Sequence, residues 1–221
     1  MEDLLDLYET EYDPQRPVVC VDEKPYQLLD NKIEPIPMNS EKAGKLDENG
    51  KKVSNVRIVD YEYKREGTCN IFMISEPFND FRETKVTEKR KKEDFAQLLK
   101  EISDVYYPEA DKIRLVADNL NTHNLKVLYE AYPPEEARRI AKRFEVHYTP
   151  KHGSWLNIAE IELSVMSKQC TKRRLPNMEI LKNELMAWTK ERNNDKIGVN
   201  WRFRTNDARI KLKKLYPIKL N

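Results

Sequence analysis

Ile113-Arg-Leu-Val-Ala-Asp118 decides the fold class. Its branched apolar residues make a short buried strand, and an acid ends it. Upstream, Phe95, Leu98, Leu99 and Ile102 recur at helical spacing beside a face of Lys, Arg and Glu, so an amphipathic helix leads in. Downstream, a helical stretch broken at Pro133-Pro134 leads to a second short strand, Phe144-Glu-Val-His-Tyr148. Helix, strand, helix, strand is the alternation of an α/β domain.

Working towards the N-terminus, Asn70-Ile-Phe-Met-Ile74 is a buried strand and Val56 to Tyr63 alternates, with Glu66-Gly-Thr68 as the turn of a hairpin between them. Val18-Val-Cys-Val21 is a compact β-branched run that stops at Asp22 and completes a three-stranded meander. The polar, Pro-rich segment from Ile33 to Gly50 reads as a loop. Residues 1–17 form a short amphipathic piece closed by Asp13-Pro-Gln-Arg-Pro17, a linker-like tail, and one domain is expected over 18–221. Towards the C-terminus, His152-Gly-Ser154 opens a long helix from Trp155 with Ser154 as N-cap. A last helix runs from about Met178 to Arg192, followed by a basic, irregular tail. The expected order is three strands, helix, strand, helix, strand, helix: a mixed five-stranded sheet flanked by helices.

Composition narrows the chemistry. Of 221 residues, 35% are charged and 39% hydrophobic, enough apolar material to bury a core. Lys plus Arg number 40 against 38 Asp plus Glu, so any basic footprint is local. Five glycines leave no G-x-G-x-x-G turn and no phosphate-cradling G-x-x-x-x-G-K-[ST] loop. Cys20, Cys69 and Cys170 are odd in number and far apart, and with only His123, His147 and His152 there is no C-x-x-C or H-E-x-x-H ligand set. The acidic start lacks the positive charge of a secretory signal and no apolar stretch approaches a membrane span, so an intracellular, soluble protein is expected.

Two expected strands end in aspartate, Asp22 and Asp118, and ligands of open α/β sheets bind at the carboxyl ends of strands. Taken singly, each is an ordinary turn former or helix cap. With a third acid from the helix near Trp155 the cluster would repel itself unless a divalent cation offset the charge, and hard oxygen ligands suit Mg²⁺ or Mn²⁺. On that helix Glu160 and Glu162 point roughly 200° apart. Leu156, Ala159, Leu163, Met166 and Cys170 form one apolar stripe, and Ile158, Ile161 and Val165 a second. Asn157, Glu160, Ser164 and Ser167 fill one polar gap, and Glu162 shares the other with Gln169.

Val19-Cys-Val-Asp22-Glu-Lys-Pro25, Val116-Ala-Asp118-Asn-Leu-Asn-Thr-His123-Asn124 and Thr149-Pro-Lys-His-Gly-Ser-Trp155-Leu-Asn157-Ile-Ala-Glu160 resemble the three acidic motifs of DDE transposases, in the bacterial insertion-sequence branch of the mariner-like superfamily. Tyr61 to Thr68 and Ile71 to Pro77 resemble that branch too. The resemblance implies a ribonuclease H-like fold and metal-dependent DNA cleavage and strand transfer by two-metal phosphodiester chemistry. It makes Asp22, Asp118 and Glu160 the catalytic, metal-binding triad and leaves Glu162 to a salt bridge or to solvent. The 41 residues between Asp118 and Glu160 exceed the spacing of many mariner-like relatives, and the region around Pro133-Pro134 takes up the difference.

Asn119, His123, His152 and Asn157 would support the triad, although Asn119 and His123 also suit ordinary helix capping, and Trp155 suits either the motif or the core. Between Val165 and Asn221 stand 15 Lys plus Arg and 5 Asp plus Glu, and Lys168, Lys172, Arg173 and Arg174 beside the helix of Glu160 suit phosphate contacts. The implied partner is double-stranded DNA, both element ends and target, bound by a homodimer in the bacterial cytoplasm at the nucleoid, with no membrane. Family members carry helix-turn-helix modules ahead of the catalytic domain. Only the linker-like tail precedes Val18, so end recognition is expected to come from a separate helix-turn-helix polypeptide or to be missing. A stand-alone ribonuclease H-like nuclease and a non-catalytic DNA-binding remnant of a mobile element remain as alternative readings.

Overall fold

The computed structural model describes residues 1–33, 61–118 and 124–216. Five strands, β1 (Val18–Asn31), β2 (Tyr63–Glu76), β3 (Phe81–Thr87), β4 (Ile113–Ala117) and β5 (Phe144–Tyr148), form one sheet in the order β3-β2-β1-β4-β5. The first three pair antiparallel as a meander; β4 and β5 join in parallel. The helices are α1 (Glu2–Tyr8), α2 (Lys92–Glu101), α3 (Lys126–Ala131), α4 (Pro134–Ala141), α5 (Ile158–Gln169), α6 (Met178–Asn194) and α7 (Thr205–Lys211). The expected α/β class and mixed five-stranded sheet are what the chain forms.

Alternation along the strands sorts side chains onto two covered faces. Val18 and Cys20 of β1, Ile71 and Met73 of β2 and Val116 of β4 pack with α1, α5 and α6. Val19 and Val21, Phe72 and Ile74, and Ile113 and Leu115 pack with α2, α3 and α4. Helices on both faces explain why the central strands read as unbroken apolar runs instead of alternating with polar residues.

Several sequence expectations shift. The first strand does not stop at Asp22 but runs on to Asn31, paired with β2 throughout, because its antiparallel ladder satisfies the backbone even where side chains turn polar. Pro25 is tolerated there because β4 pairs only with Val18 to Cys20, so no strand pairs with the other edge of β1 at Pro25. The Glu66-Gly-Thr68 stretch is a bulge within β2: Leu28 pairs with Gly67 and Leu29 with Arg65, and Gly67 has φ +108°. Glycine at positive φ marks a bulge as readily as a turn. The hairpin turn is instead Pro77 to Asp80, and β3, absent from the sequence reading, supplies the third strand of the meander. Residues 56–60 of the expected strand, and all but Ile33 of the expected 33–50 loop, lie outside the described residues.

The N-terminal segment read as a linker-like tail carries α1, whose Leu4 and Leu5 are fully buried in the core. The C-terminal region read as irregular contains α7, tied to α1 by Arg209 with Glu2 at 2.8 Å and by Thr205 Oγ1 donating to Asp6 at 2.7 Å. No described helix is long and apolar enough to cross a membrane.

Candidate active site

The parallel ladder between β1 and β4 ends at Cys20 and Val116. Two residues further along each chain stand Asp22 and Asp118, which continue the alternation that turns Cys20 and Val116 towards α5. The strands part at this point and leave an opening roofed by the first turns of α5. A cavity of about 770 Å³ lies there, and Asp22, Asp118 and Glu160 all line it.

The helix does not open at Trp155. Ser154 to Leu156 make one 3-10 turn, and the N-cap of α5 is Asn157, whose side-chain oxygen accepts from the Ala159 amide at 3.1 Å. The same side chain donates through Nδ2 to the Val21 carbonyl at 2.8 Å and is 1% exposed. One buried amide thus joins the residue before Asp22 to the turn that carries Glu160. Glu160 Oε2 is buried and has no hydrogen-bond partner among the described residues, whereas Asp22 Oδ1 accepts from the Glu23 amide at 2.8 Å. Among the described residues no three His, Cys, Asp or Glu side chains gather closely enough to hold one ion.

Glu162 faces the opposite way. It is 1% exposed and pairs with Arg82 at 3.1 Å, itself 1% exposed, and with Arg192 at 3.4 Å. Burial lowers the pKa of the Arg82 guanidinium and Glu162 opposes that shift. The pair locks α5 to β3 and α6, so of the two glutamates only Glu160 faces the cavity.

The remaining site residues divide. Lys168 and Lys172 line the cavity with the acids. Arg173 is ion-paired with Glu184. Arg174 donates to the Glu62 carbonyl at 2.8 Å and to Asn31 Oδ1 at 3.1 Å and lies over the Tyr63 ring, so it staples the far end of the β1–β2 pair. Asn119 and His123 fall outside the described residues. His152 is exposed and takes the left-handed conformation, φ 63°. Gly153 is needed for space: a Cβ there would stand 2.6 Å from Pro150 Cγ. Trp155 is 40% exposed and stacks on Trp201 at 6.3 Å.

Two charged cavity residues escaped the sequence reading of the site: Glu23 and Lys24. Glu23 pairs with Arg90 and accepts from Asn70 Nδ2 at 3.3 Å. Lys24 could have been found from its spacing, two residues beyond Asp22 on one strand face. A cysteine nucleophile has no place in this chemistry, since burial pushes the Cys20 thiol up to about 12. The arrangement sets carboxylate oxygens and lysine ammonium groups around one cavity, on its sheet side and on its helix side alike, a layout for a phosphodiester.

A family model described as DDE superfamily endonuclease matches residues 17–182. Among solved structures, the crystal structure of the Mos1 strand transfer complex is similar, with a TM-score of 0.54 and 14% identity over 88% of this chain and 54% of that one. At that identity the likeness concerns the fold, and it bears out the ribonuclease H-like arrangement. The chain spans about half the length of that protein. No curated protein matches.

Proposed function

The chain belongs to the DDE superfamily endonucleases, and on that premise we propose that it is the catalytic domain of an insertion-sequence transposase, a divalent-metal-dependent enzyme that cleaves DNA and joins the freed end to a target. One observation carries the reading: Asp22, Asp118 and Glu160, from two strands and a helix far apart in sequence, line one cavity where the sheet opens. The structural relative was solved as a strand transfer complex, which supports the joining step. Double-stranded DNA is the partner, as element end and as target, with a homodimer as the working unit and a helix-turn-helix polypeptide as the source of end recognition. The bacterial insertion-sequence branch of the mariner-like transposases is the chain's place in the family, and α1, packed in the core, belongs to the same domain as the residues from Val18 on.

The donor chemistry fits Mg²⁺ or Mn²⁺. Carboxylate oxygens are the ligands these ions prefer, and the buried Glu160 Oε2 is an acceptor that no described residue satisfies. Asp22, Asp118 and Glu160 would hold the ions. When bound, such ions activate an attacking oxygen and stabilise the leaving one. The chain's own part is placement: Asn157 sets the separation of Asp22 and Glu160, and Lys168 and Lys172 receive the phosphates on either side. Water or a DNA 3′-hydroxyl can enter the same opening, so cleavage and joining need only one site.

The test is nicking of supercoiled plasmid in Mn²⁺ or Mg²⁺ by the full chain and by Asp22→Asn, Asp118→Asn and Glu160→Gln. Each variant is expected to fold and to fall to the metal-free background. Mn²⁺ should also raise the melting temperature of the wild type and not of the variants, by linkage of binding to folding. Near-normal nicking by one variant removes that residue from the triad; no metal-dependent nicking by the wild type overturns the reading.

A further inference from the structure

Lys24 follows Asp22 by two residues on β1, so both side chains leave the same strand face and look onto α5. Opposite them on the helix, Ser164 and Ser167 continue the face of Glu160. Lys24 Nζ donates to Ser167 Oγ at 2.6 Å, and the Ser167 hydroxyl donates in turn to the Leu163 carbonyl at 2.6 Å. The serine proton is therefore committed to the helix backbone and its lone pairs face the ammonium. Lys24 is half-buried, lines the cavity and makes no ion pair among the described residues.

An ammonium has three donors, and Ser167 occupies one of Lys24's. A free lysine loses rotamer entropy when it grips a phosphate. Here the fold has already restricted the side chain. The cavity it lines also holds Asp22, Asp118 and Glu160, a concentration of negative charge that repels a polyanion. A cation held next to those acids is what lets a DNA strand enter.

We propose that Lys24, seated on Ser167, is a positioning residue that grips the backbone phosphate adjacent to the one undergoing reaction and so sets the register of the DNA strand over the acids. The inference rests on the reading of the site as a DNA-processing centre. It adds a residue outside the acidic triad and outside the basic segment that begins at Lys168.

The experiment uses the full chain and labelled duplex DNA in EDTA, with binding measured across a salt series for wild type, Lys24→Gln, Lys24→Arg and Ser167→Ala, beside thermal melts and Mn²⁺-dependent nicking. Removing one phosphate contact lowers the slope of log K against log salt by about 1. Lys24→Gln should show that loss with several-fold weaker binding, Lys24→Arg should restore the slope, and Ser167→Ala should keep the slope while weakening binding. If Lys24→Gln lowers the melting temperature but leaves affinity and slope at wild-type values, Lys24 only ties β1 to α5 and the proposal is overturned. Failure of the functional reading looks different: the wild type would not nick in Mn²⁺, whatever the salt slopes of the variants.

Discussion

Glu160 and Glu162 stand two positions apart on one helix and do opposite work. The first lines the cavity and keeps one buried oxygen without a partner among the described residues; the second is sealed between Arg82 and Arg192. Removing one charge of a buried pair leaves the other uncompensated, at a cost of about 3–5 kcal/mol. Glu162→Gln should therefore lose stability of that order in urea unfolding, with two guanidinium groups left against a neutral amide. Glu160→Gln should unfold at or above the wild-type midpoint while losing nicking, since it removes a charge that the metal-free protein does not pair. A reversed result, with Glu160→Gln the unstable variant, would exchange the two roles. Helical geometry alone separates these faces at the sequence level. It gives no hint of Arg82, which lies 80 positions away and meets Glu162 only once β3 is in place.

At the scale of elements, the decisive joint is the start of α5. Ser154 and Asn157 are both good N-cap residues, and propensity does not choose between them. The sheet chooses: Asn157 alone reaches the Val21 carbonyl, so the helix begins there and a 3-10 turn fills the gap back to Gly153. Asn157→Ala should cost about 1–3 kcal/mol, from a lost cap and an unpaired buried carbonyl. Its nicking rate at saturating metal should fall about a hundredfold if the spacing of Asp22 and Glu160 slips by as little as 1 Å. Asn157→Asp keeps the cap and discards the donor, so it should recover stability more than activity. Equal recovery of both would mean that the strand contact is irrelevant to the site.

For the molecule as a whole, α1 closes the structure by covering the sheet face that also carries α5. Tyr8 donates from its hydroxyl to the Leu156 carbonyl at 2.8 Å, which ties the N-terminal helix to the turn ahead of Asn157. Leu4 and Leu5 are fully buried, and truncating such a leucine typically costs 2–5 kcal/mol. Leu5→Ala should therefore lower the unfolding midpoint by that amount in chemical denaturation. A linker segment would tolerate the change with no measurable loss, and that result would detach α1 from the domain.

Sequence by itself determined the α/β class, β4 and β5, the helix break at Pro133-Pro134 and the face on which Glu160 lies, because each depends on periodicity or backbone sterics within a few neighbouring residues. It also singled out Asp22 and Asp118, because each follows a short apolar run at the carboxyl end of an expected strand. Only the tertiary structure decided how far β1 extends, whether Gly67 makes a turn or a bulge, and that Arg174 is a staple while Lys24 reaches the cavity. Those outcomes depend on partners tens of residues away: β2 for the length of β1, Tyr61 to Tyr63 for Arg174, and Ser167 for Lys24. Local sequence sets what a residue can do, and the neighbour that packing delivers selects which of those things it does.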